Sequence, residues 1–67
     1  MRCRTLEAEM ARAGVTREEL AEAVGVAPGT IGSYIRAETE PQLGTARAIQ
    51  LRLGSKYEVL ELFKAVD

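Results

Sequence analysis

The chain predicts an all-α fold, a compact bundle of about five short helices, on three observations. Apolar residues recur at helical spacing in several short segments, and no segment alternates with the period of two that marks a half-buried strand. Glycines at 14, 25 and 54 stand just past such segments, where a left-handed residue ends a helix. The length of 67 residues leaves room for one core, to which every helix must contribute, so residues 1–67 are read as a single domain.

The first helix is expected over Thr5–Ala13, with Leu6 and Met10 on its inner face and Gly14 after its end. Met10 reads as core filler. The second begins at the clearest local signal in the chain. Thr16 is placed to cap, Glu19 three residues on reaches back to complete a capping box, and Val15 with Leu20 forms the hydrophobic staple. Leu20, Ala21 and Val24 then face inward until Gly25, and Val26 re-enters the core. A third helix starts at Pro28, a residue favoured in the first helical position because its missing N–H is not needed there, and continues through Ile31, Tyr34 and Ile35.

Pro41 breaks the chain, and a fourth helix over Leu43–Leu53 is expected to bury Leu43, Ala46, Ile49 and Leu53 before Gly54. Ser55 and Glu58 suggest another capping box. The closing helix carries Tyr57, Val59, Leu60, Leu62, Phe63 and Val66, more apolar surface than one face of a short helix hides. Leu60 and Phe63 are assigned to the core. Tyr57, Val59, Leu62 and Val66 are left for a symmetric homodimer interface.

Composition narrows the function. Apolar residues make up 46% and charged residues 28%, which fits a folded domain rather than a disordered tail. There is no histidine, and Cys3 is the sole cysteine, so neither an internal disulfide, a zinc site nor a Cys/His nucleophile pair is available. Cys3 reads as a bystander near a frayed terminus. No secretory leader or membrane span is recognisable, and a cytoplasmic location is expected. Glu18, Glu19 and Glu22 read as a cap and a solvated face rather than acid–base partners, and no enzyme activity or cofactor is implied. The net charge of −1 argues against wholesale attraction to nucleic acid. Its distribution is uneven, however: Arg2, Arg4, Arg12 and Arg17 lie early, and Glu38, Glu40 and Asp67 late.

Two short helices joined by a tight glycine turn are what a helix-turn-helix requires. Ala21 lets the second helix approach the third, Gly25 permits the turn, and Ile31 locks the crossing. The run Thr16-Arg17-Glu18-Glu19-Leu20-Ala21-Glu22-Ala23-Val24-Gly25-Val26-Ala27-Pro28-Gly29-Thr30-Ile31 resembles the core of the Cro/phage-repressor (Xre-like) helix-turn-helix family. Pro41, Ala46, Ile49 and Leu53 resemble its fourth helix, and Leu60-Glu61-Leu62-Phe63 its closing segment. The resemblance implies a lambda-repressor-like DNA-binding fold, a small transcriptional regulator bound to double-stranded DNA, and a third helix in the major groove.

Carried onto this chain, the resemblance makes Arg17 a phosphate clamp, where the family usually has glutamine. Pro28, Gly29, Thr30, Gly32, Ser33, Tyr34 and Arg36 become the DNA-facing positions. The pattern departs here. Pro28, Gly29, Gly32 and Ser33 make none of the bidentate base contacts of Arg, Asn or Gln. Thr30 and Ser33 offer hydroxyls, and Tyr34 either meets a phosphate or packs. Arg36 is the one charged group on the segment. Ala27 replaces the usual Ser or Thr cap, at a cost of about 1 kcal/mol. Two readings follow: recognition through DNA shape and dimer spacing, or a helix-turn-helix turned to binding a protein partner. Arg2, Arg4 and Arg12 read as a solvated face, with a phosphate-contacting edge as the alternative.

Overall fold

Three glycines in the left-handed conformation divide the chain. In the computed structural model, which describes Met1–Asp67, α1 spans Arg4–Ala13, α2 Arg17–Val24, α3 Pro28–Ile35, α4 Leu43–Leu53 and α5 Val59–Leu62. Gly14, Gly25 and Gly54 follow α1, α2 and α4 at φ of 67°, 77° and 59°, values an L-residue adopts only at a cost. The end of α3 uses the same geometry without glycine. Ala37 takes φ of 58°, its N–H reaches the Tyr34 carbonyl (3.1 Å), and the Glu38 N–H reaches that of Ser33 (2.9 Å).

The capping box of α2 forms as expected. The Glu19 N–H donates to Thr16 Oγ1 (3.1 Å) and the Thr16 N–H to Glu19 Oε1 (3.0 Å). That backbone hydrogen bond is the main reason the Glu19 carboxyl is held below its ordinary pKa. The second expected box does not form. α5 begins only at Val59, with Glu58 in the cap position and no side-chain cap, while Ser55 Oγ accepts instead from the Tyr57 N–H (3.2 Å). The Gln50 side chain occupies the Tyr57 carbonyl (2.6 Å), which keeps residues 55–58 as a loop.

One apolar cluster joins all five helices. Leu6, Leu20, Ile31, Ile49 and Leu62 are its fully buried members, and Cys3, Met10, Val15, Ala21, Tyr34, Ile35 and Leu53 complete it. Each fully buried aliphatic side chain contributes roughly 1.5–3 kcal/mol of transfer free energy. Two expectations need correction. Leu43, read as core, is 61% exposed, because the first residue of α4 projects beyond the helices it packs on. Leu60 and Leu62 exchange roles: Leu62 is 0% exposed and Leu60 is 87% exposed. With a single turn of helix at 59–62, only one of two residues two positions apart can face the core.

The chain ends meet. Arg2 and Val66 exchange two backbone hydrogen bonds in an antiparallel bridge (2.8 and 2.9 Å), and the Cys3 N–H donates to the Ile35 carbonyl (2.8 Å). Cys3 is therefore no bystander at a frayed end. It is buried in the core, its thiol donates to the Phe63 carbonyl (3.3 Å), and burial raises its pKa. Across the same junction Tyr34 and Phe63 meet edge to face, with centroids 6.3 Å apart.

Candidate nucleic-acid interface

The interface is built on α2 and α3, the pair in closest register with the resemblance. Both helix starts face solvent in part. At α2 the N–H groups of Arg17 and Glu18 have no acceptor within the chain, since the Thr16 side chain takes only the Glu19 N–H. Unpaired first-turn N–H groups and the positive end of the helix dipole favour an anion there. Arg17, in the first helical position, adds a guanidinium that makes no salt bridge.

At α3 the start is uncapped by any side chain, as Ala27 dictates, and Pro28 opens the helix. Pro28 and Gly29 are exposed, Thr30 and Ser33 half-buried. A Cβ built on Gly29 meets nothing within 4 Å, so this first turn presents bare backbone to solvent. Two of the expected DNA-facing positions lie elsewhere. Tyr34 is buried with its ring against Phe63, the packing that was one of its two alternatives. Gly32 is buried as well, and its cover is unusual: a Cβ there lies 3.0 Å from Arg36 Nη1 and 3.3 Å from Arg17 Nη1. The glycine leaves room for the chain's own guanidinium groups rather than for an open backbone.

Arg36 is exposed and held by Glu38 (Nε–Oε2, 3.0 Å). Arg2, read from sequence as solvated surface, joins the same region, because the bridge to Val66 and the Cys3–Ile35 hydrogen bond lay the first residues along the end of α3. Arg2, Glu7, Arg17, Gly32, Ile35 and Arg36 line one open-sided cavity of about 480 Å³. Glu7 accepts from Arg2 through Nη2–Oε2 (2.6 Å) and Nε–Oε1 (3.2 Å). Hydrogen bonds from these arginines hold the carboxyls of Glu7 and Glu38 below their ordinary pKa. Glu7 and Glu38 had no sequence signal as counter-ions, since neither pair falls at the three- or four-residue helical spacing that charge patterning recognises.

Arg12 is structural. Its guanidinium binds the buried Glu9 (3.0 Å) and also the Leu53 carbonyl (2.8 Å), which ties α1 to the end of α4. Of the dimer candidates, Leu62 is inside the core, Val66 is half-buried in the terminal bridge, and Tyr57 and Val59 are partly exposed. No group of three or more Cys, Asp and Glu is placed to hold a metal ion, and no helix is long and apolar enough to cross a membrane.

A protein-family model described as Helix-turn-helix matches residues 6–60, from the first core leucine of α1 to the exposed Leu60 of α5. No curated protein and no solved structure gives a significant match. The family match, the capped α2, the Gly25 turn and the partly exposed start of α3 agree: the chain belongs to the Cro/phage-repressor (Xre-like) helix-turn-helix family of DNA-binding regulators.

Proposed function

We propose that the protein is a phage-repressor or Cro-type transcriptional regulator whose α3 enters the major groove of double-stranded DNA while the start of α2 lies on the phosphate backbone. The observation that carries this reading is the pairing of an exposed α3 start, Pro28 and Gly29, with an ion-pair-free Arg17 at the start of α2. Phosphate contacts orient such a protein, and base contacts specify it. Here the exposed α3 surface offers backbone and the hydroxyls of Thr30 and Ser33. Specificity therefore rests on DNA shape and on the spacing of two half-sites more than on bidentate base contacts.

A homodimer supplies that spacing, with Tyr57, Val59 and, in place of Leu62, the exposed Leu60 at its interface. Regulation of this kind takes place in the cytoplasm. Selection from a random duplex pool at low salt tests the whole reading. Enrichment of a two-fold-symmetric motif, with affinity falling steeply as salt rises, is the expected result, and an unenriched pool counts against it. Sedimentation as a monomer at high micromolar concentration removes the dimer. A protein-interaction module is the second reading, favoured by Leu43, Leu51 and Leu60, which are 61%, 79% and 87% exposed. Capture of a partner that is insensitive to salt distinguishes it.

A further inference from the structure

Arg2, Arg17 and Arg36 reach one cavity from three separate parts of the chain: the terminal bridge, the start of α2 and the end of α3. The tips of Arg17 and Arg36 crowd a single point over Gly32, 3.3 and 3.0 Å from where a Cβ would be. No carboxylate bridges them. Glu38 serves Arg36, Glu7 serves Arg2, and Arg17 has no acidic partner. Like charges gathered without a shared counter-ion repel, and an anion between them relieves the repulsion.

We propose that this cavity is a seat for a single phosphate group, with Arg17 and Arg36 donating to its oxygens from above Gly32 and Arg2 closing the third side. Guanidinium forks match a tetrahedral oxyanion in bidentate fashion. Glu7 and Glu38 are the counter-ions the phosphate replaces. They hold two of the three arginines in place until it arrives. The inference deepens the DNA-binding reading and rests on it for the source of the phosphate, a diester of the duplex backbone. Inorganic phosphate carries the same chemistry and is the other source.

One seat binds one phosphate, and that sets the test. The full chain is titrated with inorganic phosphate at constant ionic strength while the Gly32 amide and the arginine Nε–H resonances are followed by NMR. In parallel, duplex affinity is measured against salt for the wild type, for Arg2→Gln, Arg17→Gln and Arg36→Gln singly, and for the triple variant, with Arg47→Gln on α4 as the control. Saturable shifts are expected, weakened about tenfold by Arg17→Gln or Arg36→Gln, less by Arg2→Gln, and unchanged by Arg47→Gln. The log–log salt slope of the triple variant is expected to fall by about one, because each neutralised phosphate contributes about 0.9.

A fall of about three means three separate phosphate contacts and overturns the seat. Linear shifts that are the same in the triple variant also overturn it, and leave DNA binding by other groups standing. Saturable phosphate binding with no duplex affinity at low salt supports the seat with free phosphate as its ligand, and sinks the DNA-binding reading instead.

Discussion

The guanidinium of Arg17 lies 3.3 Å from the position that a Cβ on Gly32 would occupy. The contact is between α2 and α3, and it explains a glycine in the middle of a helix that otherwise loses stability by having one. Replacing Gly32 with alanine restores helix propensity worth up to about 1 kcal/mol. It also pushes aside the flexible tips of Arg17 and Arg36. Gly32→Ala is expected to raise the melting temperature and to lower duplex affinity, a combination read by thermal unfolding and a binding isotherm at one salt concentration. Gly29→Ala, where a Cβ meets open space, serves as the comparison and should stabilise without moving either arginine.

The capping box makes Thr16 the strongest local determinant of α2. Thr16→Ala removes the acceptor for the Glu19 N–H and should cost about 1 kcal/mol. Denaturant unfolding that shows no loss beyond a few tenths would mean the box forms without contributing.

Ala37 holds a left-handed conformation that three glycines hold elsewhere in the chain. Ala37→Gly relieves that strain, offset in part by the greater freedom of glycine in the unfolded chain, and a gain of about 0.5–1 kcal/mol is expected. A destabilised variant in chemical denaturation would contradict this account of the α3 terminus.

Leu60 and Leu62 differ by two positions and by their whole burial. Leu62→Ala should cost about 2–5 kcal/mol by leaving a cavity, a large share of the few kcal/mol that hold a domain of this size. Leu60→Ala should change monomer stability by less than about 0.5 kcal/mol. Equal losses for the two would place both leucines in the core.

Acid should weaken the fold. Glu7, Glu9, Glu19 and Glu38 are all held below their ordinary pKa: Glu7 by the hydrogen bond from Arg2, Glu9 by that from Arg12, Glu19 by the Thr16 backbone N–H and Glu38 by Arg36. A carboxyl depressed in the folded state contributes stability above its unfolded pKa, near about 4.3 for glutamate. It loses that contribution as pH falls through the lower folded value. With no histidine in the chain, stability should be nearly level from about pH 6 to about 8 and decline below about pH 4. Thermal melts across that range check it. Glu19→Gln keeps the capping geometry while removing one titrating group, and should shallow the acid limb.

What the sequence showed best was local. Thr16 and Glu19 announce a cap because both partners lie within one turn, and Gly14, Gly25 and Gly54 announce helix ends because the left-handed residue is itself visible. The end of α3 was less legible, since Ala37 has no preference for its conformation and is held there by the hydrogen bonds from its own N–H and that of Glu38. The Ser55–Glu58 pattern was legible and misleading: the same residue types occur, but Gln50 and Ser55 bind the Tyr57 backbone and keep the segment as a loop. Among the residues the family resemblance makes DNA-facing, Arg17, Pro28 and Gly29 stand exposed at helix starts, as their local sequence context leads one to expect. Gly32 was read as DNA-facing and Tyr34 as either packed or phosphate-bound, because their burial depends on the Arg17 and Arg36 guanidinium groups and on Phe63 folding over α3.

Local sequence was enough for α1, α2 and α4 with their glycine ends, for the start of α3 and for the α2 cap, since each depends on side chains a few residues apart and on backbone preferences that act locally. Long-range packing chose which closing leucine enters the core, buried Cys3, and brought Arg2 beside Arg17 and Arg36. Those outcomes rest on contacts such as the Arg2–Val66 bridge, between residues nearly the full chain apart. No local preference favours such a pairing until the whole chain has folded and brought its two ends together.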